Sequence, residues 1–423
     1  MAESVEIDYK KARNDDVTAI VESEHAKRVV VAGPGTGKSY LLQRAIEEKQ
    51  KKGKTKFLAI TFIGKLGDAL ADDMAGLADT TTMHGFAREF VLENCPKGWV
   101  YYPKIKDVIK LDLSTKGITE FEIGDENYNE RTKHYKAVGN DDVVHYAVQI
   151  CKKDESKIPK RDLILIDEFQ DFNELEDEFI NLLATKNDVL IVGDDDQALY
   201  KFKKSDPKFI RDKHHVDNTS YESHTLRWCS RCPEVVVNTF HNVVNHYKTE
   251  LTGRIDKDYL CYTPDKEKDS KLNPKVCIIQ TPPGQIALKI KQELDGMLKT
   301  QKIKSVLIIG EGRTCKATLA MVARLLGEYG FRNVSYTSDQ DKPFQFKEHV
   351  HEGYKALVLQ KNTALAWRLL TGELSLEDQK KLISDNYADT EKFIAAIPKD
   401  FKTKHEASTP PHLTQRLFGI LVA

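Results

Sequence analysis

Short apolar runs of strand length recur along the first half of the chain, each followed by a turn and then an amphipathic stretch. They occupy residues 28–32, 57–62, 163–167 and 189–193. An unbroken apolar run suits a strand buried on both faces, and the strand–turn–helix rhythm predicts a parallel sheet with crossover helices. Between Cys95 and Lys160 the rhythm stops, and Trp99, Tyr101 and Tyr102 scatter among nearly balanced charges. This change predicts a subdomain at 96–160 inserted into a first lobe made of residues 1–95 and 161–265. The alternation returns after Pro274, with strands expected at 276–280, 305–309 and 334–337 and helices at 285–298 and 315–329. Residues 266–423 are therefore expected to form a second, partial α/β lobe, helical from Thr363 with a break at Pro410 and Pro411. The polar, Lys/Asp-rich stretch 251–273 reads as the linker.

Composition narrows the class. With 423 residues, 40% of them apolar, the chain is long enough for two or three domains with real cores. Its 64 Lys and Arg against 65 Asp and Glu leave a net charge of -1, so any contact with nucleic acid is local and not a global basic field. No apolar run is long enough to span a bilayer, and the charged start lacks the apolar core of a signal peptide, which predicts a soluble, cytoplasmic chain without membrane contact. Seven scattered cysteines read as thiols in a reducing compartment. The Cys229/Cys232 pair has no second half, so no structural metal is expected there.

Chemistry concentrates at the ends of the predicted strands. The run Val29-Val30-Val31-Ala32 leads into Gly33-Pro34-Gly35-Thr36-Gly37-Lys38-Ser39 and then an amphipathic helix. A strand, a glycine-rich turn and a helix in this order make a phosphate-binding loop: backbone N–H groups wrap phosphate oxygens, and the helix dipole favours the charge. Lys38 then reaches the β- and γ-phosphates and the Ser39 hydroxyl ligates Mg2+, so ATP and Mg2+ are the expected ligands. Ala32 takes the place of the usual first glycine. The second apolar strand of the site ends in Asp167 and Glu168, which suits Asp167 to the magnesium shell and Glu168 to polarising an attacking water. A third strand ends in Asp194-Asp195-Asp196-Gln197, followed by Tyr200 and Phe202.

Taken in order, AGPGTGKS, LILIDEFQD and GDDDQALYKF resemble motifs I, II and III of the UvrD/Rep type of superfamily 1 DNA helicases. The resemblance implies a P-loop NTPase with RecA-like lobes, the first complete and the second partial, and a single-stranded-DNA-dependent ATPase of 3'-to-5' polarity when complete. Gln197 would couple hydrolysis to strand binding. LRWCSRCP resembles motif IV, which places Arg231 at the γ-phosphate, where a guanidinium neutralises charge developing in the transition state. Thr61-Phe62 resembles motif Ia and TTTMHGFA the following DNA-contacting segment, so Thr61, Phe62, Thr82, His84, Tyr200 and Phe202 become candidate DNA contacts. Phe62, Phe86 and Phe202 also suit ordinary core packing.

Departures from the family are specific. Val17 stands about where relatives carry an adenine-reading Gln, and Ser230 where they carry a base-stacking aromatic, with Trp228 nearby as a possible substitute. No H-x-x-K-G-L-E or T-R-A-type segment follows, and the resemblance fades after LAWRLL at 365–370. Two other readings stay open: a nucleotide switch or half-enzyme completed by a protein partner, for instance in DNA repair or phage defence, and a small-molecule kinase using the same phosphate loop.

Overall fold

Val29, Val30, Val31 and Ala32 form the inner part of β1 (Lys27–Ala32) in the computed structural model, and all four are fully buried. Successive β-branched side chains favour extended backbone and leave no polar face, so the strand must be covered on both sides. The structure describes residues 9–62, 70–115, 117–197, 205–215, 217–246, 253–261, 270–271, 276, 278–300, 306–310, 315–331, 334–335, 348–360 and 362–370.

Five strands join β1: β2 (Phe57–Thr61), β3 (Asp79–Thr82), β4 (Leu163–Ile166), β5 (Val189–Gly193) and β6 (Glu222–Leu226), in the order β3-β2-β4-β5-β1-β6. All pairings are parallel; Val29 faces Ile191 on one side and Ser223 on the other. Four of these strands coincide with the expected apolar runs. The outer two, β3 with sequence DTTT and β6 with ESHTL, lack that signature because each lies at an edge of the sheet, where polar residues discourage further pairing.

Side chains of the inner strands alternate between two cores. Val30, Ala32, Phe57, Ala59, Leu163 and Leu165 meet Val17 and Ile20 of α1 (Tyr9–Glu22) and Leu41, Leu42, Ala45 and Ile46 of α2 (Lys38–Lys51). On the other face, Val29, Val31, Leu58, Ile60, Ile164 and Ile166 pack beneath α3 (Met83–Asn94), α4 (Val143–Lys153) and α5 (Glu174–Leu183). Each fully buried Val, Ile or Leu contributes roughly 1.5–3 kcal/mol by leaving water. The start of α5 is set by a capping box: Asn173 Oδ1 accepts from the Leu175 and Glu176 amides, and Glu176 Oε2 accepts from the Asn173 amide at 2.9 Å.

The expected insert at 96–160 divides. Its last helix, α4, belongs to the sheet's own core, whereas helices Ile105–Thr115 and Glu126–Tyr135 build a separate small core with Val100 and Ala137 of the paired segments Val100–Tyr101 and Ala137–Val138. That core is completed from far along the chain, by Ala356 and Leu357 of helix Glu348–Val358 and Leu365, Ala366, Leu369 and Leu370 of helix Thr363–Leu370. Arg368 Nε lies 2.9 Å from Asp112 Oδ1, and Asn362 Nδ2 donates to the Tyr135 carbonyl at 2.7 Å. Residues 349–370 thus group with the first unit, not with a lobe beginning at 266; the second unit is Val276–Glu348. Periodicity exposes a helix's apolar face but not its partner, which is why the boundary differs from the sequence expectation.

Asp142 sits buried beneath this insert, accepting from the Gly139 amide at 2.6 Å and the Tyr128 hydroxyl at 2.8 Å. Burial outweighs these bonds and pushes its carboxyl up to about 6. The folded chain then holds a proton that the unfolded chain loses near pH 4, so the group's contribution is present below that pH and is lost as pH rises through about 6. Chemical denaturation of Asp142→Asn against pH should show a stability profile flattened by roughly 2–3 kcal/mol between pH 4 and 7 relative to the parent. An unchanged slope would exclude Asp142 as its source.

In the second unit, helices Ile286–Thr300 and Cys315–Glu328 pack through Ala287, Val322 and Leu326. The strands expected at 276–280, 305–309 and 334–337 do not form among the described residues, where Ile278, Leu307 and Ile309 are 97%, 83% and 80% exposed. An apolar run becomes a strand only when a neighbour supplies the hydrogen-bond ladder, and none of the described residues does so.

Candidate functional site

The C-terminal ends of parallel strands are where an α/β sheet places its site, because the chain leaves each strand there in a loop. After β1 the turn Gly33–Gly37 closes by a 2.8 Å bond from Thr36 Oγ1 to the Gly33 carbonyl, and Gly37 caps α2. Gly35 and Gly37 adopt φ of +73° and +93°, a left-handed backbone that a side chain would strain. Space excludes a side chain too: a Cβ on Gly35 would lie 2.6 Å from Arg231 Cβ, and one on Gly37 would lie 2.7 Å from the Arg13 guanidinium.

Two carboxylates follow β4. Glu168 Oε2 accepts from Lys38 Nζ at 2.8 Å and from Gln170 Nε2 at 2.9 Å. Its backbone is left-handed, φ +53°, which costs about 1–2 kcal/mol for a residue with a Cβ and marks a geometry held by its surroundings. Asp167 is tied to β2 through its amide, which donates to the Ile60 carbonyl at 2.9 Å. Atoms packed around its carboxyl push it up to about 6, Glu168 adds to the rise, and Lys38 opposes it. Gln170, present in the sequence motif but given no role there, links the strand tips: its Oε1 accepts from the Asp194 amide at 2.9 Å.

These groups surround a cavity of about 440 Å³ lined by Pro34, Gly35, Gly37, Lys38, Ser39, Asp167, Glu168, Gln197, Ser230 and Arg231, together with Leu70 and Asp73. The expected catalytic set Lys38, Glu168, Gln197 and Arg231 and the expected metal ligands Ser39 and Asp167 thus converge in one place. Gly33 and Thr36 shape the turn behind it. Gln197 is held by a 2.8 Å bond from its Nε2 to Asp194 Oδ2. Arg231 follows β7 (Trp228–Cys229), on a loop fixed to the phosphate loop by Ser230, whose amide and Oγ both donate to the Gly35 carbonyl at 3.0 and 3.2 Å. Leu70 and Asp73 carried no signal in sequence, since they lie outside any strand-tip motif. Trp228 is buried with the Arg227 guanidinium 5.3 Å from its ring centre, and Val17 is a core residue of α1; neither lines the cavity.

The candidate DNA contacts fare differently. Thr61 and Thr82 are register partners at the ends of β2 and β3. Thr61 is buried and its Oγ1 has no hydrogen-bond partner among the described residues, while Thr82 Oγ1 caps α3 by accepting from the Gly85 amide at 3.1 Å. His84 is half-exposed, its Nδ1 3.6 Å from Glu176 Oε1. Phe62 packs in the sheet core, 5.8 Å between ring centres from Phe172, the arrangement that its sequence position suits as well as it suits stacking on a base. Phe86 also packs in that core, against Phe179. Tyr200 and Phe202 lie outside the described residues.

Among the described residues, Asp194, Asp195 and Asp196 form the one cluster of three or more His, Cys, Asp or Glu side chains with their ligand atoms close together, and no helix is long and apolar enough to cross a membrane. Residues 17–203 match the family described as AAA domain. A subunit of the ATP-dependent helicase/nuclease of Streptococcus uberis is 28% identical over 153 residues, covering 34% of this chain and 12% of the relative. Its counterpart in Lactococcus lactis subsp. cremoris is 26% identical over 220 residues, covering 50% of this chain and 18% of the relative. The chain therefore spans less than a fifth of the length of these curated relatives. The chain thus carries a match to the AAA domain over residues 17–203 and is similar, over part of its length, to ATP-dependent helicase/nuclease subunits.

Proposed function

We propose that the cavity binds Mg-ATP and hydrolyses it, as a helicase-type ATPase stimulated by single-stranded DNA. One observation carries the reading: Lys38, Ser39, Asp167, Glu168, Gln197 and Arg231, which come from four separate strand ends, line one cavity behind a glycine turn with no room for side chains. The relatives' own name, ATP-dependent helicase/nuclease, supports it.

In this reading Lys38 exchanges Glu168 for the β- and γ-phosphates, which frees the Glu168 carboxylate to accept a proton from the attacking water. Gln170 keeps that carboxylate aimed while Lys38 leaves. Arg231 faces the phosphoryl charge that grows in the transition state, and Gln197 sits between the γ-phosphate and the DNA-contacting segment. Ser39 and Asp167, a hydroxyl and a carboxylate lining the same cavity, would hold magnesium, which when bound would neutralise phosphate charge. Thr82 and His84 mark the face for the DNA backbone, with Tyr200 as the base-stacking residue and movement 3'-to-5'. A protein partner that completes the motor belongs to the same reading, in keeping with relatives that are named as subunits.

Phosphate release from Mg-ATP should rise when single-stranded oligonucleotide is added to the purified chain. Tight nucleotide binding with no turnover, with or without DNA, would instead make the site a nucleotide switch.

A further inference from the structure

Residues 254–259, within the stretch that composition marks as a linker, run across the back of the site. At one end Arg254 Nε lies 2.8 Å from Asp196 Oδ1, and the Ile255 amide donates to Asp195 Oδ2 at 3.0 Å. At the other, the Tyr259 ring lies against Gly33, where a Cβ would meet it at 2.6 Å, and its hydroxyl donates to the Pro34 carbonyl at 2.5 Å. The strap continues into β8 (Leu260–Cys261), which pairs with β7.

Lys257 stands midway and is buried. Its Nζ lies 2.9 Å from Asp194 Oδ1 and 2.7 Å from Asp195 Oδ1, and it also donates to Asp196. The ammonium thus fills the space between three carboxylates that could otherwise hold a metal ion. Arg211, 2.9 Å from Asp195, and Arg254 bring the cations level with the acids, three of each. Buried carboxylates persist only when paired, and an ammonium with three donors matches three acceptors in a compact space.

Asp194 passes this order on to the cavity. Its Oδ2 holds Gln197 at 2.8 Å, and its amide holds Gln170, which in turn holds Glu168. Lys257 grips the other oxygen of the same carboxylate. We infer that Lys257 is a positioning residue for ATP hydrolysis, fixing the Asp194 carboxylate that aims Gln197 into the cavity. Tyr259 ties the same strap to the phosphate loop, so the loop and the tip of β5 share one support. This inference rests on the ATPase reading of the cavity.

The test is steady-state phosphate release by Lys257→Met, Asp194→Asn, Gln197→Ala and the Lys257→Met/Gln197→Ala double variant, beside the parent and Lys38→Ala. Lys257→Met should lose about 10–100-fold in kcat, while KM and affinity for a slowly hydrolysed ATP analogue move less than about threefold. In the Gln197→Ala background the same change should cost little more, because both act through one group. Should Lys257→Met fail to fold, Asp194→Asn keeps the shape and leaves Lys257 two carboxylates; its kcat should fall in the same sense with an unaltered melting temperature. A parent-like kcat in either folded variant, or full multiplication of the two losses in the double variant, overturns the inference alone. A parent that does not hydrolyse ATP overturns it together with the ATPase reading.

Discussion

Lys38→Ala should lower phosphate release at saturating Mg-ATP by on the order of 100- to 1,000-fold, the usual size for removing one preorganised donor from a phosphoryl-transfer site. Lys38 is the cation that begins α2 and faces the strand-tip acids, 2.8 Å from Glu168. Its loss acts twice. The phosphates lose their nearest ammonium, and Asp167, whose raised carboxyl Lys38 now pulls down, shifts further toward the protonated form that cannot hold magnesium. The variant should therefore need more magnesium as well as more ATP. A phosphate-release assay titrated in both ligands reads the two effects separately. Turnover above about a tenth of the parent's would mean that the phosphates do not sit against Lys38.

Arg231→Ala should cost about 1,000-fold or more in kcat while leaving nucleotide affinity within about tenfold, the signature of a side chain that acts mainly on the transition state. The structure fixes the backbone that carries Arg231, whose side chain is exposed at the cavity. Ser230 makes two bonds to the Gly35 carbonyl, and the absent side chain of Gly35 makes room for Arg231 Cβ. Lysine at this position should restore little, because an ammonium cannot reproduce a planar fork of donors. Single-turnover rates compared with binding of an ATP analogue separate the two quantities. A kcat within about tenfold of the parent's would remove Arg231 from the γ-phosphate.

How far the sequence reaches depends on where each residue's energy comes from. Strands β1, β2, β4 and β5 are legible because both their faces are buried, so an unbroken apolar run has few alternatives. The phosphate loop is legible because glycine is required by backbone geometry, as the left-handed Gly35 and Gly37 bear out. Edge strands β3 and β6 are not legible, since a polar DTTT or ESHTL forms a strand only beside a neighbour that the sequence does not name. Lys257 is the sharpest case. Read locally it is one more charge in a polar stretch, and its burial depends on Asp194, 63 residues away. The covered ring of Phe62 makes the converse point: a motif assigns a position to a family segment, but packing decides whether the side chain is offered to a ligand.

The small core around Ile105 and Ile109 draws its final layer from helix Thr363–Leu370, and the Arg368–Asp112 pair closes a separation of 256 residues. Every strand of the six-stranded sheet, by contrast, has been synthesised once Leu226 is made. As the chain leaves the ribosome, the nucleotide cavity's scaffold can assemble first, while the inserted helices wait with Ile105, Ile109 and Leu113 uncovered. The first unit is thus N-terminal in sequence yet completed late in synthesis, and the small core's apolar face stays open to water until the helix Thr363–Leu370 is made.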